Sequence, residues 1–119
     1  MIEASCHCGA VKMQVVERPE SITSCNCSLC RRNGARWAYY VQAQVVFAAG
    51  KARTVAYVQG DRTLETHHCP TCGCVTHWES VRKGAAERIA VNTRLMDPAD
   101  IAGVRVRHLD GADTWTYTD

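Results

Sequence analysis

The chain has no run of apolar residues long enough to cross a bilayer, which argues against a membrane-spanning helix. It also lacks an excess of one charge: 14 Lys and Arg against 12 Asp and Glu leave a net +2. That total gives no electrostatic reason to expect nucleic acid or a membrane surface as a partner; only a local patch would. The first residues, MIEASCHCG, contain neither a basic segment nor an apolar stretch of the secretory kind, so the protein is expected to be cytoplasmic. Linkers, low-complexity tracts and internal repeats are missing, and 119 residues suit one domain spanning 1–119. The helical period is almost absent as well, which argues against an α-helical or α/β architecture.

What remains is a series of short strand-like runs. In AVKMQVV, Val11, Met13 and Val15 alternate onto one face. WAYYVQ, QVVFAA and RTVAYVQ are rich in β-branched and aromatic residues. RTLETHH follows a Gly60-Asp61 turn, and VTHWES, ERIAVNT and VRVRHLD are further strand candidates. One short helix is expected near 97–102, with Asp97 as its cap, Pro98 at its first position and Gly103 ending it. A single turn of helix can follow Ser28 and run to Gly34. The expected fold is mainly β, with about eight short strands.

Cysteine is abundant instead: eight residues in three tight groups, at 6 and 8, at 25, 27 and 30, and at 69, 72 and 74. In a reducing compartment such clusters point to metal or catalysis rather than to disulfides. Cys69-Pro-Thr-Cys72-Gly73 is a CxxC knuckle, and Cys6-His7-Cys8-Gly9 offers a second pair followed by glycine. Together they supply the four thiolates of a closed zinc site. A redox CxxC would more usually open a helix beside a βαβ unit, and no such unit is visible. Cys25, Cys27 and Cys30 leave three arrangements: a zinc site with one open position, a closed site completed by Cys74, or a metal-free thiol cluster. Along an extended strand Cys74 shares its side with Cys72, which favours the open site.

In combination, SCHCGAVKMQV, CNCSLCRRNG, WAYY and GDRTLETHHCPTCGCVTHW resemble the glutathione-dependent formaldehyde-activating enzyme family, which includes centromere protein V-like domains. The resemblance implies a β-tent of stacked short antiparallel sheets. It implies a structural zinc on Cys6, Cys8, Cys69 and Cys72 and a catalytic zinc on Cys25, Cys27 and Cys30. Cys74 departs from the family pattern, where Ser or Thr often follows the knuckle. The implied activity is that of a carbon–sulfur lyase/synthase adding glutathione to formaldehyde or another small aldehyde, giving S-hydroxymethylglutathione.

Glutathione carries two carboxylates, and Arg31, Arg32 and Arg36 follow the second cysteine group directly. Their guanidinium forks are candidates for gripping it, although a solvated basic turn would look the same. Trp37, Tyr39 and Tyr40 are candidate pocket walls, His7 and His77 candidate proton carriers, and His67 and His68 candidate supports for the knuckle. Two other classes of function share these residues. One is a non-catalytic zinc-binding module for protein or nucleic acid; the other is a thiol redox or metal-buffering protein.

Overall fold

The computed structural model describes residues 1–119. In chain order the strands are β1 (Ile2–Ser5), β2 (Lys12–Val15), β3 (Ser21–Cys25), β4 (Trp37–Val41), β5 (Val45–Ala49), β6 (Val55–Val58), β7 (Leu64–His68), β8 (Val75–Ser80), β9 (Arg88–Asn92) and β10 (Arg105–Leu109). A helix, α1 (Ser28–Asn33), joins β3 to β4. They form a three-stranded sheet ordered β1-β2-β5 and a seven-stranded sheet ordered β10-β3-β4-β9-β8-β7-β6. The fold is therefore mainly β, as expected.

Three details depart from the expectation. There are ten strands rather than eight, because IEAS and SITSC also pair. One pairing, β10 with β3, is parallel. The helix expected near 97–102 is a 3-10 turn at Pro98–Ile101, whereas the turn expected from Ser28 to Gly34 forms as α1, with Gly34 as its C-cap. Asp97 does cap the 3-10 turn, its carboxylate accepting from the Ala99 N–H at 2.9 Å.

Strand alternation divides the molecule. On one face of the large sheet, Ala38 and Tyr40 of β4 and Ile89 and Val91 of β9 pack against Ala4, Met13 and Val15 of the small sheet. Val11, Met13 and Val15 are at most 1 % exposed, as their alternation predicts. On the other face Trp37 of β4, Trp78 of β8 and Ala90 of β9 form a second, smaller cluster with Ala35. A period of two thus sends Ala38 and Tyr40 into the inter-sheet core and Trp37 and Tyr39 out to the opposite side, where the cleft described below opens. No helix is long and apolar enough to cross a membrane.

Candidate metal and substrate site

The two cysteine pairs meet across the two sheets. Cys6 and Cys8 leave the end of β1, and Cys69 and Cys72 form the turn after β7. All four sulfurs lie within 4.8 Å of one another. Cys6 and Cys8 sulfurs are 3.7 Å apart, and those of Cys8 and Cys69 are 3.6 Å apart. A tetrahedron with zinc–sulfur bonds of about 2.3 Å has edges of about 3.8 Å, so these residues fit zinc. The turns are built for it. Gly9 and Gly73 adopt φ of 82° and 80°, conformations that a side chain would strain. The Val11 N–H donates to the Cys6 sulfur at 3.3 Å. The backbone N–H groups of Cys74 and Cys8 hold the Cys72 thiol down to about 5. Cys74 packs against this group, beside Cys6, Val11 and Cys69, from the turn that precedes β8 rather than from a strand face.

The second group is local. Cys25 ends β3, Cys27 caps the N-terminus of α1, and Cys30 lies in its first turn. Their three sulfurs fall within 4.8 Å of one another, and no fourth Cys, His, Asp or Glu joins them. Backbone N–H groups again serve the sulfurs: Cys27 donates to Cys25 at 3.4 Å and Cys30 to Cys27 at 3.3 Å. The indole N–H of Trp37 donates to Cys30 at 3.3 Å. Burial raises the Cys27 thiol, but the Cys30 N–H and its neighbours outweigh this and hold it below its ordinary value. Burial pushes Cys30 up to about 12, against the opposing effect of the Trp37 N–H.

All three sulfur-bearing residues line a cleft of about 790 Å³. That volume is typical of a small-molecule site. Its walls are aromatic: Trp37, Tyr39, Tyr57, Trp78 and Trp115. Two cations reach it, Arg31 and Arg88, and the Arg88 guanidinium sits 5.1 Å above the Trp78 ring. One rim is the loop after β10. Asn26 fastens that loop to the cysteines, donating to the Asp110 carboxylate at 3.1 Å and accepting from the Ala112 N–H at 2.9 Å. Gly111 then lies so close that a Cβ there would stand 2.5 Å from the Cys25 sulfur.

The remaining candidates fall elsewhere. Arg32 does not line the cleft; its guanidinium donates to the Ser28 carbonyl at 2.8 Å, within its own helix. Arg36 does not line it either, nor does Tyr40, whose hydroxyl donates to the Glu17 carbonyl at 3.0 Å. No histidine borders the cleft: His7 is exposed beside the first cysteine group, and His77 is fully buried on the opposite face of the large sheet. The ring nitrogens of His67 face Thr54 and Glu65 rather than the knuckle. Gly111, Trp115, Tyr57 and Arg88 escaped the sequence reading. Two of them, Gly111 and Trp115, lie more than 20 residues from any cysteine in the chain, in a polar tail with no periodic pattern to point inward.

The family model described as glutathione-dependent formaldehyde-activating enzyme matches residues 1–109, and the chain belongs to that family. A Halomonas elongata protein named "Putative glutathione-dependent formaldehyde-activating enzyme" is 32 % identical over 81 residues. The match covers 60 % of this chain and 52 % of the relative, so it spans about half the relative's length. The crystal structure of a Rhodobacter sphaeroides protein superposes with a TM-score of 0.70 at 30 % identity, covering 88 % of this chain and 99 % of that one.

Proposed function

We propose that this member of the glutathione-dependent formaldehyde-activating enzyme family joins glutathione, or a similar thiol, to formaldehyde or another small aldehyde, as a carbon–sulfur lyase/synthase. One observation carries the reading: three cysteines converge in an aromatic cleft with no fourth protein ligand. Cys6, Cys8, Cys69 and Cys72 would hold a structural zinc, and Cys25, Cys27 and Cys30 a catalytic one. Zinc at the open site would keep the incoming sulfur as a thiolate, a form that a free thiol reaches only near ~8.5.

The rest of the work falls to the chain. Arg31 and Arg88 face the cleft with guanidinium groups able to pair with the two carboxylates of glutathione. Arg32 and Arg36 do not border it. Trp37, Trp78 and Trp115 exclude water from the peptide and leave the aldehyde a small space beside Gly111. The sulfur forms a bond to the carbonyl carbon, the π electrons pass to oxygen, and that oxygen takes a proton. With no histidine at the cleft, the proton comes from solvent at its open mouth. Holding thiol and aldehyde together supplies the acceleration mainly through lost encounter entropy.

The test compares S-hydroxymethylglutathione formation by the protein and by Cys27→Ser above the uncatalysed background, with zinc per chain measured on both. The expected outcome is loss of activity and of one zinc. Equal activity from the two proteins refutes the proposal.

A further inference from the structure

On the face of β7 and β8 away from the cleft lies a second cluster that the proposed chemistry does not use. It comprises His67, His77 and Glu79, whose ligand atoms all fall within 4.8 Å of one another. His77 is 0 % exposed and Glu79 2 %. The two imidazoles stack with centroids 4.4 Å apart, and Phe47 of the small sheet closes one side against His77 at 4.9 Å.

Two threonines decide which ring nitrogens are free. Thr54 gives its one hydroxyl proton to the Lys51 carbonyl at 2.7 Å, so it accepts from His67 Nδ1 at 2.8 Å. Thr76 lies 3.4 Å from the His67 carbonyl and 2.8 Å from His77 Nδ1, so it can accept from that nitrogen while donating to the carbonyl. With both Nδ1 atoms donating to threonine, both Nε2 atoms present lone pairs. Those lone pairs face carboxylates. His67 Nε2 is 3.1 Å from Glu65 Oε1, and His77 Nε2 is 3.4 Å from Glu79 Oε2. His77 Nε2 and Glu79 Oε2 are buried without any hydrogen-bond partner. Lone pairs opposed to anionic oxygens demand a positive charge between them. Protonating both rings would place two imidazoliums 4.4 Å apart beside two lysines. A single divalent ion meets the same demand with one charge centre.

We infer that His67, His77 and Glu79, with Glu65 at the edge, form a binding site for a divalent first-row transition metal ion, separate from both cysteine groups. Donors of this kind, two imidazoles and a carboxylate, suit zinc, nickel, cobalt or iron(II). The 3.4 Å separation of His77 Nε2 from Glu79 Oε2 matches the edge of a tetrahedron with bonds of about 2.1 Å. The threonines fix the ring orientation as partners of ligating histidines do. Two lysines compete: Lys51, 48 % exposed, lies 3.6 Å from Glu79 Oε2, and Lys83 lies closer. Its ammonium lies 2.5 Å from Glu65 and 2.6 Å from Glu79, yet its side chain is 50 % exposed and free to swing into solvent as an ion enters.

The experiment uses the full chain with its cysteine sites zinc-loaded and titrates it with cobalt(II), then nickel(II), reading metal per chain and the visible spectrum. One further equivalent is expected, giving weak cobalt bands without the near-ultraviolet thiolate charge-transfer band that cysteine ligation produces. Glu79→Gln should weaken that equivalent at least about tenfold. Lys83→Ala, with its fold checked by circular dichroism, should tighten it about fivefold by removing the competing ammonium. The inference is overturned if no further equivalent binds, if cobalt enters only with the charge-transfer band, or if Lys83→Ala leaves affinity unchanged. None of these readouts involves aldehyde or glutathione, so the result is independent of the function proposed above.

Discussion

Replacing Cys69 with serine tests what the first cysteine group does for the fold. Cys69 is fully buried, and its sulfur lies 3.6 Å from that of Cys8 across 61 residues of sequence. An ion bridging them closes a loop of that length. In the chain-entropy description, a cross-link of that span removes about 14 cal/mol/K from the unfolded ensemble, or about 4 kcal/mol at 25 °C. That is a lower bound, since the ligand bonds themselves are also lost; zinc-finger sites show about 10–16 kcal/mol in apparent binding free energy. Domains of this kind have total stabilities of about 5–15 kcal/mol, so the loss is a large fraction of the whole. At about 4 °C per kcal/mol for a chain of this size, Tm should fall by at least about 16 °C, or the protein should fail to fold. The second group gives the contrast. Its cysteines are linked through separations of only two and three residues, so the same reasoning allows at most about 2 kcal/mol for Cys27→Ser. Differential scanning calorimetry on both variants, with zinc counted by elemental analysis, decides the matter. A Cys69→Ser protein that melts with the parent, or a Cys27→Ser protein that loses as much stability, would refute the division into a structural and an open site.

Three further outcomes follow from the cleft. Gly111→Ala places a Cβ 2.5 Å from the Cys25 sulfur and 3.2 Å from the Cys27 Cβ, so metal content at the second site and activity should both collapse while Tm holds; unchanged zinc content would show that the loop simply moves aside. Trp37→Phe keeps an aromatic ring against Trp78 but removes the N–H donor to Cys30, a loss of about 1 kcal/mol, which a competing chromophoric chelator should register as about a fivefold weaker second site. Arg31→Ala and Arg88→Ala should raise KM for glutathione, whereas Arg32→Ala, whose guanidinium is occupied by the Ser28 carbonyl, should not; equal effects from all three would mean that general positive charge, not the cleft geometry, recruits the tripeptide.

Much of this arrangement was legible in the sequence wherever chemistry and spacing coincide. The pairing of Cys6 and Cys8 with Cys69 and Cys72 follows from ligand number, and the burial of Val11, Met13 and Val15 from alternation. What escaped the reading depends on long-range packing. Ile2–Ser5 and Ser21–Cys25 carry too few apolar residues to announce themselves as strands, and they become strands because neighbouring edges are available to pair with them. The parallel β10–β3 pairing places Leu109 beside Cys25, which is what brings Gly111 and Trp115 to the cleft. No local pattern encodes that register. Of the two helical expectations, the one from Ser28 to Gly34 formed as α1 and the one near 97–102 shortened to a 3-10 turn. Asp97-Pro98 is a sound start signal, but only a 3-10 turn follows it, whereas the cap of α1 is the Cys27 sulfur, an acceptor outside the usual capping residues.

The two cysteine groups also differ in what losing an ion would mean. The first joins the end of β1 in the small sheet to the turn after β7 in the large one, so an ion there would hold the layers together only while the site stays closed. A substrate entering there would compete with the fold. The second is contained in six residues at the junction of β3 and α1, and it is held by that junction's own N–H groups, by Trp37 and by the Asn26–Asp110 clasp. Each of those bonds belongs to the protein. An open coordination position is tolerable only where the polypeptide, not the metal, maintains the shape. The bonds around Cys25, Cys27 and Cys30 would meet that condition, and the cleft opens there.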